Sequence, residues 1–155
     1  MELLSTGNME NENRILALDI GEKRVGTAIS DPLGYTAQPG PTLERKPEEQ
    51  FWRKLEELLA TWSVRRAVVG LPIGLGGQKT SPSYIAVMEF LRQAQQKWPE
   101  IEWKTWDERL TTTQAIQILS AAPGKKRRDK SLRDQIAAQL ILDSYLRSPK
   151  GRSGV

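Results

Sequence analysis

The sequence predicts an α/β fold in which a mixed five-stranded sheet is flanked by helices, in the order β-β-β-α-β-α-β-α-α. The chain opens with short apolar runs at strand spacing, and from residue 47 onward segments of helical spacing alternate with further apolar strands. Three strands in hairpin order followed by alternating helices and strands imply a mixed sheet covered by helices.

The first three predicted strands occupy residues 14–20, 24–30 and 35–43. The first two are apolar runs separated by a short segment that begins with Gly21, and this spacing predicts a hairpin. The third is weaker and contains Pro39 and Pro41, which cannot donate a ladder hydrogen bond. We therefore expect it to lie at the edge of the sheet.

The remaining elements follow from the change of hydrophobic period. Helical spacing predicts helices, and compact or alternating apolar runs predict strands. In the second helix we expect Ile85, Met88 and Leu91 to face the core, and in the last strand we expect Trp106 to be more exposed than Trp103. The predicted helices cover residues 51–62, 83–98, 112–119 and 130–146, and the predicted strands cover residues 66–71 and 101–106.

The length of 155 residues suits one ordinary domain with a single core, which we assign to residues 14–147. Residues 1–13 are polar and unpatterned, and residues 148–155 are rich in glycine and proline, so we expect a disordered leader and a disordered tail. No apolar run approaches the roughly 18 residues of a membrane span, and the first residues lack the features of a signal peptide. We expect a cytoplasmic protein with no membrane partner.

The chain contains neither cysteine nor histidine. Disulfides, thiolate chemistry, Ser-His-Asp catalysis and a histidine general base are therefore excluded. Any bound metal must be held by oxygen atoms, which favours hard ions such as Mg²⁺ or Mn²⁺.

Positive charge is concentrated near the C-terminal end. From Pro123 onward the chain has nine Lys or Arg and three Asp, whereas the preceding 122 residues have 14 bases and 16 acids. This balance favours a polyanionic partner, with a solvated loop or tail as the alternative. The basic cluster that we predict to bind phosphates comprises Lys125, Lys126, Arg127 and Arg128.

Acidic residues stand at the ends of two predicted strands and at the start of the last helix. Asp19 ends the first strand, Asp107 and Glu108 end the last one, and Asp134 shares a helix face with apolar residues. Such carboxylates could together hold one or two Mg²⁺ ions for phosphodiester hydrolysis. Adjacent residues on a strand point to opposite faces, so only one of Asp107 and Glu108 can readily join Asp19. Each acid could instead form a turn or favour a helix start.

Two arginines follow the acidic segments. Arg24 comes after the turn that follows Asp19, and Arg109 comes directly after Glu108. We expect both to contact phosphate or to pair with the carboxylates, and the alternative is a surface ion pair of little energetic value.

Five short motifs resemble those of the YqgF family of RuvX-like proteins. They are Asp-Ile-Gly-Glu-Lys-Arg-Val-Gly at residues 19–26, Ser-Asp-Pro-Leu-Gly at 30–34, Val-Gly-Leu-Pro at 69–72, Asp-Glu-Arg-Leu-Thr-Thr at 107–112 and Asp-Gln-Ile-Ala-Ala at 134–138. Each motif is weak alone, but their order is specific, and the resemblance extends from about residue 14 to about residue 146. The loop at residues 73–79 departs from the family pattern.

The resemblance implies a ribonuclease H-like fold and a nuclease whose catalytic metal ligands are Asp19, Glu108 and Asp134. It further implies Mg²⁺ or Mn²⁺ as cofactor, and structured RNA, in particular the 5′ end of precursor 16S rRNA, as substrate. The alternatives are a Holliday junction resolvase, which needs a dimer, and a non-catalytic nucleic-acid-binding module. We expect a monomer or a weak homodimer.

Overall fold

The computed structural model describes residues 14–73, 81–108 and 130–149, and within these it describes residues 130–135 by their backbone alone. The predicted leader, the predicted helix at 112–119 and all but the first two residues of the predicted tail lie outside this description. The strands are β1 (Ile15–Ile20), β2 (Arg24–Ser30), β3 (Ala37–Pro39), β4 (Leu43–Glu44), β5 (Arg66–Leu71) and β6 (Glu102–Asp107), and the helices are α1 (Glu48–Thr61), α2 (Pro82–Lys97) and α3 (Lys130–Arg147).

The sheet is mixed, as the element order predicts. Its strands lie in the order β3-β2-β1-β5-β6, and β4 also pairs with β2. The hairpin β1–β2 is antiparallel, whereas β1, β5 and β6 run parallel to one another. The carboxyl ends of these three parallel strands therefore lie at one edge of the sheet, called here the carboxyl edge.

The expectation of five strands is corrected to six, because the third predicted strand is divided into β3 and β4. Both short strands pair with β2, and β3 lies at the edge of the sheet, as predicted. The break falls at Gly40 and Pro41, where the backbone N–H of Gly40 donates to the carbonyl of Thr27 at 2.9 Å. Pro41 has no N–H for the ladder, so the strand cannot continue through it.

The two faces of the sheet are covered by different helices. On one face Leu16 and Leu18 of β1 join a core with residues of α1 and α2, including Phe51 and Phe90. On the other face Ile15 and Ala17 pack in a core with residues of α3, including Tyr145. Side chains alternate between the two faces along β1, and Asp19 shares the parity of Ile15 and Ala17. Asp19 therefore lies on the α3 face.

Helix α2 presents a different face to the core from the one expected. Ile85 and Met88 are 59% and 42% exposed, so the prediction that they face inward is wrong, although Leu91 is buried as expected. The inward stripe consists of Val87, Phe90, Leu91 and Ala94. The helix begins at Pro82 because the Ser81 side chain accepts a hydrogen bond from the N–H of Tyr84 at 3.1 Å. Among the described residues, no helix is both long and apolar enough to cross a membrane.

Candidate active site at the carboxyl edge

Asp19 lies on β1 between positions that offer no side chain on its own face. Its partner on β2 is Gly26. On the other side, β1 pairs with β5 up to Leu18 and Val69, and continuing this parallel register by one residue places Gly70 beside Asp19. Because both neighbours of Asp19 across the sheet are glycines, its carboxylate has room on the α3 face.

Glu108 follows the last residue of β6, and the strand before it is fixed by contacts with α3. The indole N–H of Trp106 donates to the Ser144 hydroxyl at 3.0 Å, and its ring meets that of Tyr145 edge-on with centroids 5.6 Å apart. Trp106 is therefore half-buried against α3, and Trp103 is half-buried on the other face of the sheet, so the expectation that Trp106 is the more exposed of the two stays a prediction. These contacts hold the end of β6 beside the helix.

The carboxyl groups of Asp19 and Glu108 meet in a side-chain hydrogen bond. Two carboxyl groups can share such a bond only when one of them carries a proton. Burial raises the pKa of Glu108 above the ordinary value of 4.5, the nearby charge of Asp107 raises it too, and the bond with Asp19 acts in the opposite direction. The pair is thus an acidic site whose negative charge is costly without a cation.

Gly70 makes this meeting sterically possible. A Cβ atom at residue 70 would lie 2.8 Å from Oε1 of Glu108 and 2.5 Å from Cδ1 of Ile141. Real Cβ atoms do not approach other heavy atoms so closely, so the Glu108 carboxyl occupies space that any larger residue would take. Gly70 thus belongs to the candidate site although no sequence motif assigned it a role there, and a glycine inside a strand is itself a signal of close approach.

The raised pKa of Glu108 predicts how stability depends on pH in metal-free protein. Folding raises the pKa of this carboxyl group above its value of 4.5 in the unfolded chain. Its contribution to the free energy of unfolding is therefore fully present below pH 4.5, and it is lost as the pH rises through the pKa of the folded state. Glu108→Gln should therefore increase the free energy of unfolding near neutral pH, with the gain shrinking as the pH falls to 4.5. Urea denaturation in EDTA across this range would measure the difference.

Glu102, at the opposite end of β6, provides a control of opposite sign. Its pKa is lowered by a hydrogen bond with Lys104 and by the charge of Arg66. Glu102→Gln should give no gain in stability at neutral pH. If Glu108→Gln were as stable as the unmodified protein, or less stable, at neutral pH, the Glu108 carboxylate would not be destabilised by its surroundings.

The other acids that the sequence singled out are placed differently. Asp107 lies on β6 next to Trp106 and, by strand alternation, on the opposite face from it. Asp134 lies on α3, but its side chain is outside the described part of the chain. Among the described residues, no group of three or more acids is arranged to hold a metal ion. The structure brings together two of the three predicted ligands, and the full set stays a prediction.

The direction of α3 bears on the position of Asp134. The Tyr145 hydroxyl accepts from Arg66 at 3.4 Å near the start of β5, whereas Ile141 lies against Gly70 near its end. Going backwards along α3 therefore leads towards the carboxyl edge. Asp134 precedes Ile141 by seven residues, or roughly 10 Å of helix, so its turn of helix lies at or beyond that edge.

The predicted phosphate-binding residues are only partly described. Arg24 begins β2 at the carboxyl edge, opposite Glu44 of β4 and two residues before Gly26, the partner of Asp19. Its binding role stays a prediction. The residues outside the described part of the chain are Arg109, Lys125, Lys126, Arg127 and Arg128.

Relatives of this chain share most of its length. A protein of Acetivibrio thermocellus is 40% identical over 146 residues, covering 90% of this chain and 98% of the relative. A protein of Syntrophomonas wolfei is 41% identical over 133 residues, covering 86% and 93%. One of Desulforudis audaxviator is 39% identical over 137 residues, covering 88% and 96%. All three bear the name "Putative pre-16S rRNA nuclease".

Two solved structures show the same fold at low identity. One is Thermus thermophilus RuvC in complex with a Holliday junction substrate, with a TM-score of 0.57 and 13% identity over 88% of this chain and 96% of the other. Another is the Fowlpox virus resolvase complex with Holliday junction DNA, with a TM-score of 0.52 and 12% identity over 87% and 99%. The predicted ribonuclease H-like fold is confirmed.

The family comparison agrees with the relatives. Residues 13–148 match the family described as RuvX, Holliday junction resolvase. This match includes all five motifs that resemble the YqgF family and both carboxyl groups that meet at the carboxyl edge. This chain therefore belongs to the RuvX family, as its motifs predict.

Proposed function

We propose that this protein is a divalent-metal-dependent nuclease that hydrolyses phosphodiester bonds in precursor 16S rRNA. The observation that carries the proposal is the hydrogen-bonded pair Asp19 and Glu108, two acids that folding brings together at the carboxyl edge. Two carboxylates in a partly buried site repel each other, and a bound cation offsets that repulsion. A purely structural role would be served better by an uncharged pair.

The donor atoms fit a hard divalent cation. Asp19 and Glu108 offer only oxygen, and the whole chain has no cysteine or histidine that would select a softer metal. Mg²⁺ or Mn²⁺ would be held by these two carboxylates, with Asp134 as the third ligand that the motif at residues 134–138 implies. When bound, the ion supplies Lewis acidity and a lowered pKa for its water, which replaces a histidine base.

The chain's own residues would bind and orient the scissile phosphate. Asp19 and Glu108 would hold the cation on the α3 face, and Arg24 at the same edge would contact a phosphate oxygen. Ile141 and Trp106 belong to the apolar cluster on the same face of the sheet. The basic cluster Lys125, Lys126, Arg127 and Arg128 would hold flanking phosphates and confer a strong salt dependence on binding.

The substrate assignment rests on the names of relatives about 40% identical to this chain. It implies that the protein acts in the cytoplasm, during ribosome biogenesis. A second candidate, resolution of four-way DNA junctions, is supported by the description of the family and by the DNA complexes of structural neighbours. That activity would require a dimer that places two sites on opposite strands.

The decisive experiment compares both substrates side by side. Purified protein is incubated with a 5′-extended 16S rRNA fragment and with a four-way DNA junction, in Mn²⁺ or in EDTA. We expect metal-dependent cleavage of the rRNA at the mature 5′ end and a loss of at least about 10³-fold in Asp19→Asn, because a metal site contributes several kcal/mol to the transition state. The matched control is Glu57→Gln, which removes an exposed acid on α1. This variant should cleave the rRNA at the normal rate.

Each other outcome has a definite meaning. Cleavage of the junction alone, by a dimer, would favour the resolvase. Full activity of a correctly folded Asp19→Asn variant would refute the carboxylate site. Binding without cleavage of either substrate, or of assembled precursor particles, would favour a non-catalytic nucleic-acid-binding module.

A further inference from the structure

The turn between β1 and β2 sets the position of Asp19. The N–H of Gly21 donates to the carbonyl of Arg24 at 2.9 Å, which closes the turn two residues after Asp19. The turn is tight, since a Cβ atom on Gly21 would lie 2.6 Å from the carbonyl oxygen of Arg24. Because Asp19 pairs with Gly26 across this hairpin, its register depends directly on the geometry of the turn.

Arg45 binds this turn at both ends. Its backbone N–H donates to the carbonyl of Lys23 at 2.9 Å, and its guanidinium Nη1 donates to the carbonyl of Gly21 at 3.1 Å. Arg45 itself is anchored, because it follows β4, where buried Leu43 pairs with Val25. One residue from outside the β1–β2 hairpin therefore fixes the two carbonyls of the turn, those of Gly21 and Lys23.

We propose that Arg45 is a positioning residue for the metal-binding carboxylate of Asp19. This inference rests on the proposed nuclease function. A hydrogen bond from a guanidinium is charge-assisted and stronger than a neutral one, so it restricts rotation about the Gly21 backbone. Without it the turn gains freedom only two residues from Asp19. A displacement of about 1 Å is enough to lower a rate about 10²-fold.

Arg45 acts on Asp19 through the backbone rather than from within the site. Its side chain lines a recess of about 380 Å³ that Ile20, Pro82 and Ser83 also line. Ile20 packs against the core that includes α1 and α2, whereas Asp19 lies on the α3 face. Arg45, which lines this recess with Ile20, and Asp19 thus lie on opposite sides of β1. A change at Arg45 should therefore alter turnover and metal affinity, and not the affinity for nucleic acid.

The test uses Arg45→Ala and Arg45→Lys in the full chain, with Arg53→Ala, an exposed arginine on α1, as the matched control. Calorimetry gives the Mn²⁺ affinity, hydrogen exchange reports on the Gly21 amide, and cleavage gives kcat and KM. For Arg45→Ala we expect kcat to fall about 10- to 100-fold, KM to stay constant, Mn²⁺ affinity to fall about 10-fold and Gly21 exchange to accelerate. Arg45→Lys, which keeps a cationic donor, should recover most of each loss.

The outcomes separate this inference from the function on which it rests. A parent protein that neither binds Mn²⁺ nor cleaves refutes the nuclease proposal and this inference with it. If the parent protein binds Mn²⁺ and cleaves, and Arg45→Ala has the same Mn²⁺ affinity and kcat as the parent, this inference alone is refuted. A raised KM with constant kcat would make Arg45 a substrate contact, and equal losses in Arg45→Lys and Arg45→Ala would make its role purely structural. Either result would overturn the proposal.

Discussion

Glu108→Gln is expected to reduce nuclease turnover by at least about 10³-fold, whereas Asp107→Asn should reduce it by less than about 10-fold. The two acids are adjacent and chemically similar, but folding separates them. Glu108 meets Asp19 on the α3 face, whereas strand alternation places Asp107 on the face opposite to that of Trp106. Glutamine keeps the size of Glu108 and removes the charge that a cation requires.

Three measurements distinguish this result from general damage. The Mn²⁺ affinity should fall in Glu108→Gln and stay close to normal in Asp107→Asn. Circular dichroism and thermal melting should show that both variants fold. Glu108→Gln should in addition be more stable than the parent in EDTA at neutral pH, because burial raises the pKa of the Glu108 carboxyl group and the substitution removes its charged form. Activity lost in Asp107→Asn and retained in Glu108→Gln would reverse the assignment.

A gain in stability together with a loss of activity is the expected sign of a functional residue. Structural side chains stabilise the fold, so their removal lowers stability. Acids gathered to hold a cation do the opposite, because they are desolvated and mutually repulsive until the cation binds. The pair Asp19 and Glu108 should behave in this second way, and saturating Mn²⁺ should restore the stability of the parent protein relative to Glu108→Gln.

The positions of the acids at strand ends were sufficient to predict that Asp19 meets one of Asp107 and Glu108. The face on which they meet follows from the structure, because Asp19 shares the parity of Ile15 and Ala17, which pack against α3. The choice between Asp107 and Glu108 was different. It depends on how β6 lies against α3 through Trp106, and that contact joins segments 38 residues apart.

The features that sequence patterns missed are those that depend on contacts between distant segments. Helical spacing in 83–98 is compatible with a stripe through Ile85 and Met88 or with one through Val87 and Phe90, and only the position of the sheet selects the second. In the same way, the bond from Arg45 to the carbonyl of Gly21 links residues 24 apart, and no local pattern predicts it.

Gly70→Ala should lower turnover about 10²-fold and destabilise the protein by about 1–3 kcal/mol, and these two effects should have separable causes. The added methyl group would lie 2.5 Å from Cδ1 of Ile141 and 2.8 Å from Oε1 of Glu108. The first contact overpacks the core beneath α3. The second displaces the carboxylate from Asp19.

A second substitution separates the two contacts. Ile141→Val removes Cδ1, the atom nearest to the new methyl group, and alone should cost about 0.5–1.5 kcal/mol. Combined with Gly70→Ala it should cost less than the sum of the two single effects, because each change relieves the other. Turnover should stay low in the double variant, since the methyl group still occupies the space of the Glu108 carboxyl. If the double variant recovered turnover together with stability, Gly70 would serve only the packing of α3. If Gly70→Ala alone had normal turnover, the position of Glu108 would not be critical for catalysis.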